Sequence, residues 1–133
     1  MIRGRELEKR IESVFDQLNS TRGDILCIRL EVKRVNNGSW IKKQPFDYLV
    51  ASPKGIFAFD AKECAGDRFY LSSVPLHQRE SLLRMQNLGH RAGLVVWFKK
   101  WRGHPKAIRF IENLLERHVT VDDGIAFDWD MLG

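Results

Sequence analysis

Asp47, Asp60 and Lys62 are the residues of this chain with the types and spacing to do chemistry. They lie within FDYLVASPKGIFAFDAK, residues 46–62, which reads as two apolar strands, 46–51 and 56–62, about a Ser-Pro-Lys-Gly turn. Pro53 suits the second position of a tight turn and Gly55 closes it. A hairpin symmetric about that turn pairs Ser52 with Gly55 and, counting outward, Asp47 with Asp60. Both carboxylates then emerge on one face. Alternation along the strand adds Lys62 to that face. Two carboxylates that close repel unless a proton or a divalent cation sits between them. Oxygen-only ligation suits Mg²⁺, and a neighbouring ammonium can stabilise a developing anion or position a water. The bland alternative salt-bridges Asp47 to Lys62 and leaves Asp60 in solvent. A lone Asp-x-Lys is weak evidence; an upstream Asp, a tight hairpin and Asp-x-Lys in an apolar strand together favour a site. A one-residue bulge would break the pairing.

The elements that must hold this hairpin follow from periodicity. Residues 5–18 form a helix whose stripe is Leu7, Ile11, Val14, Phe15 and Leu18. Glu8 and Glu12 lie beside that stripe, and Glu8 is near enough to the helix start to reach over the sheet edge. On pattern alone both glutamates solvate the helix and pair with Lys9 or Arg5. Residues 25–35 alternate as a half-buried strand, with Leu26, Ile28, Leu30 and Val32 inward and Arg29, Glu31 and Lys33 outward. Residues 36–39 are a loop, followed by the basic segment 40–44. Beyond the hairpin, a helix capped by Ser73, with Pro75 in its first turn, runs to about Leu88 and stops at Gly89. Its inward face passes through Gln78, Leu82, Met85 and Leu88, and an inward amide at Gln78 needs partners. His77 and Arg79 flank it. Residues 93–98, GLVVWF, read as a strand buried on both faces and parallel to the strand before the helix. A final strand over 107–111, a short helix over 112–118 and an acidic tail packing back through Ile125, Phe127 and Trp129 complete the chain. The fold class is α/β, a mixed central sheet flanked by helices.

The chain has 133 residues, 44% hydrophobic and 29% charged, which fits a single domain over 1–133 with a proper core. It has no run of eighteen apolar residues and no signal pattern, so a cytoplasmic, non-membrane protein is expected. Cys27 and Cys64 lack metal-type spacing and read as reduced core thiols. The net charge of +5 is concentrated in Arg3, Arg5, Lys9 and Arg10, in Lys33 and Arg34, in Lys42 and Lys43, and in Lys99, Lys100, Arg102 and Lys106. Trp40, Trp97 and Trp101 neighbour these clusters. Charge alone also fits a merely soluble basic protein; beside the acid pair it favours a polyanion partner.

Pro45-Phe-Asp47 followed by Asp60-Ala-Lys62 resembles the PD-(D/E)xK motif of the restriction-endonuclease-like superfamily. Within it the chain is most similar to Holliday-junction resolvases of the RecU-like and archaeal Hjc-like kind, phage versions included. Arg3-Gly-Arg-Glu-Leu-Glu8, His77-Gln78 and residues 93–98 with the basic loop after them resemble that family's opening, second helix and closing strands. The resemblance implies a restriction-endonuclease-like fold and a Mg²⁺-dependent, structure-selective endodeoxyribonuclease, with Mn²⁺ able to substitute. It implies a homodimer acting on branched DNA. It implies Asp47, Asp60 and the backbone carbonyl of Ala61 as metal ligands, Lys62 orienting water or stabilising the pentacovalent phosphate, Glu8 assisting the metal or a second site, and Gln78 ordering the cluster. DNA contacts are expected from Arg3, Arg5, Lys33, Arg34, Ser39, Lys42, Lys43, Arg79, Lys99, Lys100 and Arg102. Two departures stand out: position 60 is Asp where these resolvases usually have Glu, and the loop 36–44 is short where RecU-like chains carry a long stalk. The alternatives are a less selective nuclease of the same fold and a DNA-binding module that cuts nothing.

Overall fold

The computed structural model describes residues 5–30, 44–99 and 107–127. Helix α1 (Arg5–Thr21) leads to β1 (Leu26–Arg29), and the central hairpin is β2 (Tyr48–Ser52) with β3 (Gly55–Cys64). A short β4 (Phe69–Tyr70) and a 3₁₀ turn, Leu71–Ser73, precede α2 (Leu76–Asn87). Then come β5 (Arg91–Phe98), β6 (Ala107–Ile111), β7 (His118–Val119) and β8 (Ile125–Ala126). Six strands form one sheet in the order β1-β2-β3-β5-β6-β8, and β4 pairs separately with β7. Every pairing is antiparallel except β3 with β5, which the α2 crossover makes parallel.

Two cores sandwich this sheet. Leu7, Ile11 and Phe15 of α1 pack on Tyr48, Val50, Phe57, Phe59, Ala61, Val95 and Trp97. On the opposite face Leu82 of α2 packs with Ala58, Cys64, Leu94, Val96 and Phe98. Both cysteines are buried and free, one in each core. The hairpin has the expected register, Ser52 opposite Gly55 through Tyr48 opposite Phe59, without a bulge. Gly55 has φ +108°, a turn conformation that costs glycine least. Gly89, at φ +90°, stops the helix as expected, its N–H and that of His90 closing on the carbonyls of Gln86 and Met85.

Five expectations are corrected. In β1 the phase is reversed: Ile25 and Cys27 are buried while Leu26 and Ile28 are 54% and 37% exposed. Register decides this, because Cys27 lies opposite Val50 and Arg29 opposite Tyr48, both on the α1 face. Leu26 and Ile28 therefore fall on the other face of an edge strand. Asn19 of α1 holds that edge, its side-chain amide donating to the Cys27 carbonyl and accepting from the Cys27 N–H at 2.9 and 2.8 Å. Secondly, α2 begins at Leu76 with Pro75 as its cap residue, and Ser73 instead ends the 3₁₀ turn, its hydroxyl donating to the Tyr70 carbonyl. Thirdly, Leu88 is 66% exposed, since it caps the helix beyond the last turn packed on the sheet. Fourthly, 112–118 is no helix. Leu114 turns into the core while His118 leaves to pair with Tyr70, a tertiary pairing that overrides local helix propensity. The strand over 107–111 is also not the last; β8 adds beyond it, and Phe127 packs against the rings of Phe57 and Phe59. Trp129 lies outside the described residues.

Candidate active site

The hairpin register brings Asp47 and Asp60 together. Asp47 stands one residue before β2, and its backbone N–H donates to Asp60 Oδ1 at 2.6 Å. The Asp47 carbonyl accepts from the Leu30 N–H at 2.8 Å, which ties the same residue to the end of β1. Gln44 Nε2 donates to Asp47 Oδ1 at 2.8 Å. Alternation along β3 sends Asp60 and Lys62 to the α2 face, between Ala58 and Cys64.

Asp60 is fully buried, and its Oδ2 meets no hydrogen-bond partner among the described residues. Burial chiefly, and then the Asp47 carboxylate, push its pKa up to about 7, against the opposing pull of Lys62 and the Asp47 N–H. Lys62 is half-buried. Gln78, in the first turn of α2, is buried as its inward placement predicts, and its Oε1 meets no hydrogen-bond partner among the described residues. Ala61 lies between Asp60 and Lys62 in β3, its side chain in the α1-side core.

Among the described side chains Glu8 pairs with Arg29 rather than Lys9. Arg29, on the α1 face by register, reaches Glu12 at 2.8 Å and Glu8 at 3.7 Å. Burial raises the Glu8 pKa; Arg29 counters it, while Asp47 and Glu12 push the same way as burial. Glu8 therefore feels the site electrostatically, with its carboxylate clamped by Arg29. Arg79 is half-buried, with Nε unpartnered among the described residues. Lys99 is drawn into the fold: its Nζ is 2.6 Å from Glu63, 3.5 Å from Glu6 and 4.7 Å from the centre of the Trp97 ring. Arg3, Lys33, Arg34, Ser39, Lys42, Lys43, Lys100 and Arg102 lie outside the described residues, as does the side chain of Arg5.

Three contributors escape a reading of the sequence. Arg29 has the pattern of a solvent-facing strand residue, and only its register reveals otherwise. Glu63 follows Lys62 and so alternates to the α1 face; there its Oε2 accepts from the N–H groups of Glu6 and Leu7 at 3.1 and 3.2 Å. It thereby caps α1 from β3. Gln44 has a legible signal, since it sits three residues before Asp47 across a proline.

A family model of Recombination protein U matches residues 2–104. The chain belongs to the Recombination protein U family. These are Holliday-junction resolvases, which are endonucleases. Among solved structures, Hjc, a Holliday junction resolvase from the archaeal hyperthermophile Archaeoglobus fulgidus, aligns with 94% of this chain and 99% of its own at 20% identity, with a TM-score of 0.53. That likeness shows the fold, restriction-endonuclease-like as expected. No curated protein matches the chain. Among the described residues, no helix is long and apolar enough to cross a membrane.

Family membership gives the acid pair a context in which its donor set can be weighed. Among the described residues no three His, Cys, Asp or Glu side chains close on one point. The carboxyls brought together are those of Asp47 and Asp60, so other oxygens would have to complete the shell of any cation held there. That composition fits a hard cation that keeps much of its water, as Mg²⁺ does, and does not fit a Zn²⁺ cage. The orphaned Oδ2 of Asp60 is the acceptor such a cation would satisfy.

Proposed function

We propose that this chain cuts four-way DNA junctions by metal-assisted phosphodiester hydrolysis, with Asp47, Asp60 and the Ala61 carbonyl holding Mg²⁺, for which Mn²⁺ can substitute. The observation that carries this reading is a buried carboxylate, Asp60, bonded through one oxygen to Asp47 and left open at the other. When bound, the cation polarises the phosphate and lowers the pKa of water. Asp47 and Asp60 would supply the negative charge that offsets the cation, and their mutual repulsion would be relieved by it. Lys62, on the same face, orients the attacking water and offsets charge developing on the phosphate. Glu8, paired with Arg29 and in the field of Asp47, assists the site from the α1 side. Gln78 orders the cluster from the α2 side. The basic residues 3, 5, 33, 34, 42, 43, 79, 100 and 102 supply phosphate contacts, while Lys99 is engaged by Glu63. Two copies working together place two such sites on opposed strands, so the working form is a homodimer.

A labelled immobile four-way junction and its linear arm duplex, each with Mg²⁺ or EDTA, test the whole reading. Paired symmetric nicks on the junction alone are expected. Equal Mg²⁺-dependent cutting of both substrates would make this a general nuclease. Binding without cutting under Mg²⁺ and Mn²⁺ alike would remove catalysis from Asp47, Asp60 and Lys62.

A further inference from the structure

Gln44 is joined to the acid pair by one bond whose sense is fixed by chemistry. An ionised Asp47 carboxylate only accepts, so the amide must turn its Nε2 toward Asp47 Oδ1, as found at 2.8 Å. The amide oxygen then has to point elsewhere. It is buried and has no partner among the described residues. Two more buried acceptors on the hairpin and α2 are in the same condition, Asp60 Oδ2 and Gln78 Oε1. Unmade hydrogen bonds of this kind cost about 1–3 kcal/mol each, so acceptors are not left open together without a donor to serve them.

The backbone around Gln44 makes its placement rigid. Pro45 fixes one dihedral, and Phe46 is buried in the α2-side core. Asp47 is pinned by its N–H to Asp60 and by its carbonyl to Leu30. Gln44 is the remaining tie, and it acts on the carboxylate itself. We propose that Gln44 is a positioning residue of the metal centre: its N–H holds Asp47 in the orientation a cation needs, and its Oε1 accepts from the cation's hydration shell. This rests on the metal-site reading above, and it adds an oxygen that supports the shell without being a carboxylate.

Calorimetric titration of the DNA-free protein with Mn²⁺ tests this, using wild type, Asp60→Asn, Gln44→Met and Gln44→Glu, beside thermal melts in EDTA and in Mn²⁺. Gln44→Met keeps the length of the side chain and removes both polar atoms. It is expected to weaken Mn²⁺ binding roughly tenfold, the scale of residues that orient metal ligands, while the melt in EDTA stays within a few degrees of wild type. Gln44→Glu sets a second carboxylate against Asp47. It is expected to melt lower than wild type in EDTA and to be raised more by Mn²⁺ than wild type is. A purely structural Gln44 would lower both melts of each variant equally and leave Mn²⁺ affinity unchanged, and that result overturns the proposal. If wild type itself shows no Mn²⁺ binding that Asp60→Asn removes, the metal-site reading fails instead, and Gln44 with it. Wild-type binding lost in Asp60→Asn but intact in Gln44→Met rejects Gln44 alone.

Discussion

Asp60 concentrates the chemistry of the site in one side chain. Its carboxyl is held neutral to about pH 7 by burial and by Asp47. An aspartate in the unfolded chain titrates near 3.9, so in EDTA the folded protein binds more protons than the unfolded one between roughly pH 4 and pH 7. Stability is therefore expected to be highest below that window and to fall as pH rises through it, at up to about 1.4 kcal/mol per unit. Urea denaturation in EDTA at pH 5 and pH 8 measures this, and Asp60→Asn is expected to flatten the difference. Saturating Mg²⁺ is expected to reduce it in wild type, because the cation stabilises the charged form. The same substitution is expected to cut junction cleavage by roughly a hundredfold or more while junction binding holds or tightens, since it removes a ligand and a charge together. Loss of binding would mark Asp60 as structural.

Elements hold these residues in place through a few specific ties. Glu63 extends from β3 to cap the first turn of α1 and to pair with Lys99, and its side chain is fully buried. Glu63→Ala removes a helix cap and leaves Lys99 without its nearest anion. It is expected to lower unfolding free energy by about 2–4 kcal/mol. Glu63→Gln, which still offers an oxygen to the two N–H groups, is expected to cost about half as much; equal losses would mean that the ion pair alone matters. Gly93 of β5 serves the sheet differently, because a Cβ there would collide with the Ile111 carbonyl oxygen and press on the Phe110 ring. Gly93→Ala is expected to part β5 from β6 and destabilise the protein by about 3 kcal/mol or more, read from the shift in denaturation midpoint at constant slope. Both cores depend on that seam.

The whole molecule presents an acid site within a basic chain of net charge +5. On the proposed function, attraction to the phosphate backbone is assigned to the lysines and arginines and cutting to the hairpin. Separation of these roles has a measurable consequence. Neutralising Lys42 and Lys43 together is expected to weaken junction binding and to lower the slope of log K against log salt by about 2, one unit for each phosphate that a lysine no longer neutralises. Binding measured from low to moderate salt checks this, and an unchanged slope removes both residues from the interface. Cleavage per bound junction should stay unchanged in the same variant.

The sequence alone determined what local rules reach. Alternation and a proline-glycine turn gave the register observed, which brings Asp47 to Asp60 just beyond its last pair, since a two-residue turn leaves a hairpin one way to align its apolar faces. The α1 stripe, the glycine stop of α2 and the parallel crossover into β5 followed from periodicity and handedness in the same way. What lay beyond reach depends on partners distant in the chain. Which face of β1 is buried was set by its register against β2, so both Leu and Ile pairs and Ile and Cys pairs were locally acceptable. The segment 112–118 gave up its helical pattern for an irregular run that delivers His118 into the strand paired with β4. Arg29 found Glu8 and Glu12, and Lys99 found Glu63, only once the sheet had brought α1 against its face. Pairing within a strand or turn is written in neighbouring residues, whereas burial and charge pairing are properties of the surfaces that the folded elements present to one another.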